Sequence, residues 1–133
     1  MEGSFNNKER RSHPRFIIDL ICEYQVNGSC LRGATLVNAS EGGGLIETVR
    51  DIPVGTELSI SVLFPKGHEL ANFKVAAKIV WKGFCWKRDS EGNRYREGYK
   101  YGLEFIQISD TDRWKLNYLL DPRRFPPSQS YQL

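Results

Sequence analysis

The stretch FIIDLICEYQVNG, residues 16–28, decides the fold. Ile18, Leu20, Cys22 and Tyr24 share one face of an extended chain and Asp19, Glu23 and Gln25 the other, the period of a strand with one buried and one wet face. β-Branched and aromatic residues dominate it, as they do in strands. Asn27-Gly28 follows directly, a pair that tolerates the left-handed backbone of a tight hairpin turn. Residues 32–37 then read as a second strand ending at Asn38. A chain that opens on a hairpin opens as an antiparallel sheet.

The rest of the chain keeps that rhythm. Glu41-Gly42-Gly43-Gly44 predicts a glycine-rich turn before a third strand at residues 45–49. After a turn at Pro53-Val54-Gly55, Leu58, Ile60, Val62 and Phe64 alternate with polar residues in a fourth strand that Pro65-Lys66-Gly67 closes. In a fifth strand at residues 73–82, Phe73, Val75, Ala77 and Ile79 share a face, and Val80-Trp81 breaks the alternation as a bulge does. The very polar residues 88–98 read as a surface loop before a last strand at residues 99–106. Ser109-Asp110-Thr111-Asp112 supplies a cap and early acids for a short helix through Leu120, with Leu116, Leu119 and Leu120 on one side and Asp121-Pro122 as its stop. About six short strands and one late helix predict an all-β domain, a small antiparallel barrel or sandwich. The chain divides into an N-terminal arm (residues 1–15), a body (16–121) and a basic, proline-bearing tail (122–133).

A chain of 133 residues, 40% of them hydrophobic, builds one core rather than two. No apolar run approaches the roughly 20 residues of a membrane helix, and the first residues carry no basic-then-apolar leader. The expectation is therefore a soluble, cytoplasmic protein without membrane insertion. Cys22, Cys30 and Cys85 are odd in number and widely spaced, which predicts neither a disulfide framework nor a metal site. Charges of both signs are interspersed through the body, so no broad basic face for duplex DNA is expected.

The basic surplus is local. Arg10-Arg11-Ser12-His13-Pro14-Arg15 packs three guanidinium groups into six residues just before the first strand, and with Lys8 and Glu9 it carries as much net charge, +3, as the whole protein. Guanidinium makes paired hydrogen bonds to phosphate or to the guanine O6 and N7 edge, which makes a guanine nucleotide one candidate partner. By composition alone the run is equally an ordinary solvated tail, and a second motif has to decide between the two.

That motif is Asn38-Ala39-Ser40-Glu41-Gly42-Gly43. Together with Arg11-Ser12-His13-Pro14-Arg15 it resembles the paired Arg-x-x-x-Arg and Asp/Asn-x-Ser-x-x-Gly signatures of the PilZ domain family. Trp81 after Lys78-Ile79-Val80, and Tyr101-Gly102-Leu103-Glu104-Phe105, also look like strands of that family, so the resemblance covers roughly residues 10–120. It implies a six-stranded antiparallel β-barrel with a helix near its end, a non-enzymatic receptor for the bacterial second messenger cyclic di-GMP. The arm itself, with almost no apolar residue except Phe5, is expected to order on binding and so to signal to an unidentified effector protein, with no other cofactor. The site residues the resemblance implies are Arg10, Arg11, Arg15, Asn38, Ser40 and Gly43, with Gly42, Gly44 and Trp81 beside them.

The chemistry of these residue types fits such a ligand. Arg11 and Arg15 can wrap a compact dinucleotide, fork onto phosphate or guanine and stack on bases. The Asn38 amide donates and accepts, and the Ser40 hydroxyl does either, so both can meet a purine edge. Gly43, with Gly42 and Gly44, allows positive φ and close approach of backbone to an anion. Trp81 offers a stacking surface, although a tryptophan in a barrel strand is commonly core. The same Asn, Ser and Gly residues also make a favourable turn without any ligand. His13 reads as a bystander in the arm and His68 as a loop residue. Arg10 resembles the arginine that precedes the first motif in family members that accept a two-molecule ligand, so the resemblance implies a stacked pair, in which a third guanidinium would offset the repulsion of four phosphates. Two other readings compete. One is a degenerate family member acting only as a protein-interaction module. The other is a barrel binding single-stranded nucleic acid through Trp86, Tyr95 and Tyr99.

Overall fold

The computed structural model describes residues 16–121. Within them run β1 (Phe16–Gln25), β2 (Arg32–Ala39), β3 (Gly43–Thr48), β4 (Glu57–Lys66), β5 (Glu69–Arg88), β6 (Arg94–Gln107) and α1 (Asp110–Leu120). The strands close into a barrel in the order β1-β2-β3-β6-β5-β4, with every neighbouring pair antiparallel. Closure pairs the backbone edges that an open sheet would leave free.

The alternation read from the sequence selects the interior. Leu58, Ile60, Val62 and Phe64 of β4 and Phe73, Val75, Ala77 and Ile79 of β5 are all buried, joined by Tyr24, Leu36, Ile46, Tyr101 and Leu103. In β1, Cys22 and Tyr24 enter the core while Ile18 and Leu20 pack against it. A register shift between Ile17 and Leu20, with Asp19 at φ 59°, interrupts the pairing of this strand, and the alternation places Ile17 (88% exposed) and Ile21 (72% exposed) on the outer wall. Aspartate is among the few side chains that tolerate this left-handed region. At the hairpin turn Asn27 (φ 48°) and Gly28 (φ 75°) are both left-handed, and Ser29 N donates to Val26 O at 2.9 Å. The bulge after Ile79 is present too, since Ile79 pairs with Leu103 but Trp81 with Gly102.

Two expectations are corrected. Gly43 and Gly44 do not belong to a turn, because β3 begins at Gly43, which pairs with Glu104 while Gly44 pairs with Leu103. A Cβ on Gly43 would overlap the Leu103 carbonyl oxygen, so the missing side chain lets β3 close on β6. The predicted loop at residues 88–98 is mostly strand as well. β5 runs unbroken to Arg88 and β6 starts at Arg94, leaving only residues 89–93 to turn. Cross-strand pairs such as Phe84 with Tyr99 and Trp86 with Arg96 hold this extension despite its polarity. Asp89 Oδ1 accepts from Glu91 N and Asn93 N, each at 2.9 Å, and shapes the tip.

Ser109 caps α1, its Oγ accepting from Asp112 N at 3.1 Å. The Asp112 carboxylate accepts from Ser109 Oγ at 2.7 Å through Oδ2 and from Lys74 N of β5 at 3.2 Å through Oδ1, which pins the helix to the barrel wall. Leu116 and Leu120 are buried and Leu119 packs beside them, while Tyr118 tilts against Phe64 at 6.5 Å between ring centroids.

Candidate functional site

The second sequence motif lies where β2 turns into β3. Ser40 N donates to Gly43 O at 2.8 Å, and Gly42 O accepts from Phe105 N of β6 at 2.9 Å, so the turn is tied both to itself and to the neighbouring strand. Ser40 is 6% exposed. Its hydroxyl accepts from Gly42 N at 3.2 Å and lies 3.4 Å from Gly43 O. In this structure Ser40 therefore shapes the turn rather than presenting a free hydroxyl to a purine. None of Gly42, Gly43 and Gly44 has positive φ, so what Gly43 and Gly44 permit is close strand approach. For Gly44 an added Cβ would lie 2.8 Å from Asn38 O.

Asn38 is placed differently. It pairs with Ile17 of β1 on one side and Leu45 of β3 on the other. Its Oδ1 is buried and has no hydrogen-bond partner among the described residues. Leaving such an acceptor unmet costs about 1–3 kcal/mol, so a buried unpaired amide oxygen marks a place where a donor is missing.

Barrel register extends this position into a row. Trp81 of β5 pairs with Gly102 of β6, Gly102 with Leu45 of β3, Leu45 with Asn38 of β2, and Asn38 with Ile17 of β1. Trp81 is 40% exposed and lies on the outer wall, not in the core. Its indole occupies the space that a Cβ on Gly102 would take. From Trp81 to Asn38 is three inter-strand steps, about 14 Å at ordinary sheet spacing. A stacking surface and an unmet acceptor thus share one outward row across the wall, with Leu45 between them.

Of the residues expected in the site, Asn38, Ser40, Gly42, Gly43, Gly44 and Trp81 gather on this wall and its turn. Arg10, Arg11 and Arg15 lie outside the described residues. Gly102, Leu45 and Ile17 were not among the site residues expected from the sequence. For Gly102 a signal existed, since a glycine inside a strand marks a close approach. Nothing marked Leu45 or Ile17, which enter through register alone. Among the described residues there is no group of three or more His, Cys, Asp or Glu side chains able to hold a metal ion. No helix among them is long and apolar enough to cross a membrane.

The fold has solved counterparts. The PilZ domain of YcgR from Escherichia coli, solved with cyclic di-GMP, superposes with a TM-score of 0.67 at 16% identity, covering 84% of this chain and 88% of that one. The Bacillus subtilis inhibitor of motility MotI/DgrA matches with a TM-score of 0.63 at 19% identity over 86% of this chain, which spans 52% of that protein. The MrkH–cyclic di-GMP complex of K. pneumonia gives a TM-score of 0.53 at 16% identity, over 86% of this chain and 55% of that one. At these identities the likeness shows the fold alone. By sequence, no curated protein matches the chain. The model of the PilZ domain family matches residues 9–121, most of the chain and both motifs. Motifs, closed six-stranded barrel and family match agree: the chain belongs to the PilZ domain family.

Proposed function

We propose that this protein is a non-enzymatic receptor for cyclic di-GMP that binds the nucleotide on the outer wall between Trp81 and Asn38. The observation that carries the reading is the buried, unpartnered Asn38 Oδ1 in one cross-strand row with an exposed tryptophan laid over a glycine. Guanine supplies what the row lacks, a ring to stack on the indole and N–H donors for the amide oxygen. The arm supplies the countercharge. Arg15 is bonded to Phe16, which pairs with Ala39 beside Asn38, so Arg11 and Arg15 are within reach of phosphates held against this wall. Arg10 adds a third guanidinium for a stacked pair of ligands. Binding orders the arm, and the ordered arm is the change that an effector protein reads. The cyclic di-GMP present in the YcgR and MrkH structures supports this choice of ligand.

The test is a calorimetric titration of the full chain with cyclic di-GMP, GMP and a short single-stranded oligonucleotide. Saturable binding of cyclic di-GMP alone is expected. Absence of heat with cyclic di-GMP would instead leave an interaction module without a nucleotide. Binding of the oligonucleotide in preference would turn the reading to nucleic acid.

A further inference from the structure

The outer end of the β5–β6 hairpin carries a second surface that the nucleotide reading does not use. Pairing of β5 with β4 ends at Lys78, and pairing of β6 with β3 ends at Tyr99. Beyond these points β5 and β6 pair only with each other. An extension of this kind exposes side chains at no gain to the core. Yet Phe84 is 41% and Trp86 51% exposed on it.

The rings form a ladder. Tyr99 stacks on buried Tyr101 at 6.2 Å, Phe84 tilts against Tyr99 at 5.7 Å, and Trp86 meets Phe84 edge-on at 6.3 Å. Cations cover them. The Arg96 guanidinium lies 5.0 Å from the Phe84 ring and 5.2 Å from Tyr99, Arg94 lies 4.7 Å from Trp86, and Lys82 lies 4.9 Å from Tyr99. Lys82 is already paired with Asp51. Among the described residues, Arg94 and Arg96 have no carboxylate partner. Of the acids nearest in sequence, Glu97 pairs with Lys87 at 3.7 Å, Asp89 accepts from the backbone of the tip, and Glu91 forms no ion pair with either arginine among the described residues. A ring beneath a guanidinium holds it in place while its N–H edge still faces outward.

We propose that this face docks an acidic segment of a partner protein, its carboxylates forking onto Arg94 and Arg96 and an apolar side chain packed against the exposed edges of Phe84 and Trp86, which the guanidinium groups leave uncovered. Charge complementarity commits the surface to an anion, because two pre-positioned forks stand here without an acid. Their geometry favours carboxylate on a peptide over a nucleic-acid strand. Bases need open ring faces to stack on, and here guanidinium groups already occupy faces of Phe84, Tyr99 and Trp86. The surface is separate from the Trp81–Asn38 row and does not depend on the nucleotide reading.

Fluorescence anisotropy of the full chain with a labelled peptide of alternating glutamate and leucine or tryptophan tests this. Its glutamine counterpart, a lysine counterpart and a single-stranded oligonucleotide serve as comparisons. The glutamate peptide should bind, the glutamine peptide should not, and Arg94→Gln with Arg96→Gln should weaken binding about tenfold per arginine. Arg94→Glu with Arg96→Glu should instead select the lysine peptide, an exchange that loss of folding cannot produce. Cyclic di-GMP affinity should be the same in all these variants, which separates this surface from the nucleotide site. Glutamate-peptide binding that the arginine substitutions leave unchanged, no binding of the glutamate peptide, or tighter binding of the oligonucleotide through the same arginines would each overturn the proposal.

Discussion

The Trp81 indole sits where a side chain on Gly102 would be. This contact joins β5 to β6 on the outer wall and sets the indole at one end of the row that ends in Asn38 and Ile17. Trp81→Ala should therefore weaken cyclic di-GMP binding by about 1–3 kcal/mol, the usual value of stacking one base on an aromatic ring. Gly102→Ala should reproduce much of that loss by displacing the indole, with a shift in Trp81 fluorescence when Trp86 and Trp114 are replaced by phenylalanine. Calorimetry that finds wild-type affinity in both variants would remove Trp81 from the site.

Asn38 should show opposite effects on stability and binding. Its buried Oδ1 has no partner among the described residues, so Asn38→Leu relieves an unmet acceptor and should leave unfolding free energy unchanged or raise it by about 1 kcal/mol. Affinity for cyclic di-GMP should fall in the same variant. Urea unfolding beside calorimetry checks both, and a large loss of stability with unaltered binding would make Asn38 structural only.

For the arm, Arg11→Ala and Arg15→Ala should each cost about 1–3 kcal/mol of binding if each makes a paired guanine contact. Arg10→Leu should abolish a second binding event while sparing the first. Titration well above the dissociation constant decides the stoichiometry: an equivalence point of one ligand per chain in the unmodified protein excludes the stacked pair.

Gly43→Ala should destabilise the barrel by roughly 1–3 kcal/mol, because the added methyl meets the Leu103 backbone and not a side chain that can turn away. Thermal unfolding with and without ligand measures this. A melting temperature equal to that of the unmodified protein would mean that β3 and β6 can separate at no cost.

Alkaline conditions should weaken the fold through Cys22. Burial, and secondarily the Glu23 carboxylate, push its thiol from 9.0 up to about 12. As pH rises past the unfolded value, the unfolded chain loses this proton before the folded one does. Unfolding therefore releases a proton, and stability declines with pH between about 9 and about 12. Burial raises Cys85 and Tyr101 in the same direction, so Cys22→Ala should flatten the decline without abolishing it. Urea midpoints from about pH 8 to about pH 10.5 give the slope, and an identical slope in the variant would exclude Cys22 as a source.

The amino-acid pattern by itself determined the β-rich class, most strand positions and the inward set of β4 and β5, because a period of two is written locally along each strand. It also determined the Asn27-Gly28 turn, the bulge after Ile79, the Ser109 cap and the short helix, each a matter of a few neighbouring residues. Only the tertiary structure decided that Gly43 and Gly44 are strand, since the need for glycine there comes from Leu103 and Asn38 on neighbouring strands. Cross-strand pairing likewise decided that residues 94–98 extend a hairpin, against their polar composition. The Trp81–Gly102–Leu45–Asn38–Ile17 row was not legible in the chain at all. It follows from register passed across β5, β6, β3, β2 and β1, with bulges that shift it, and register between strands distant in sequence is set only when the barrel closes.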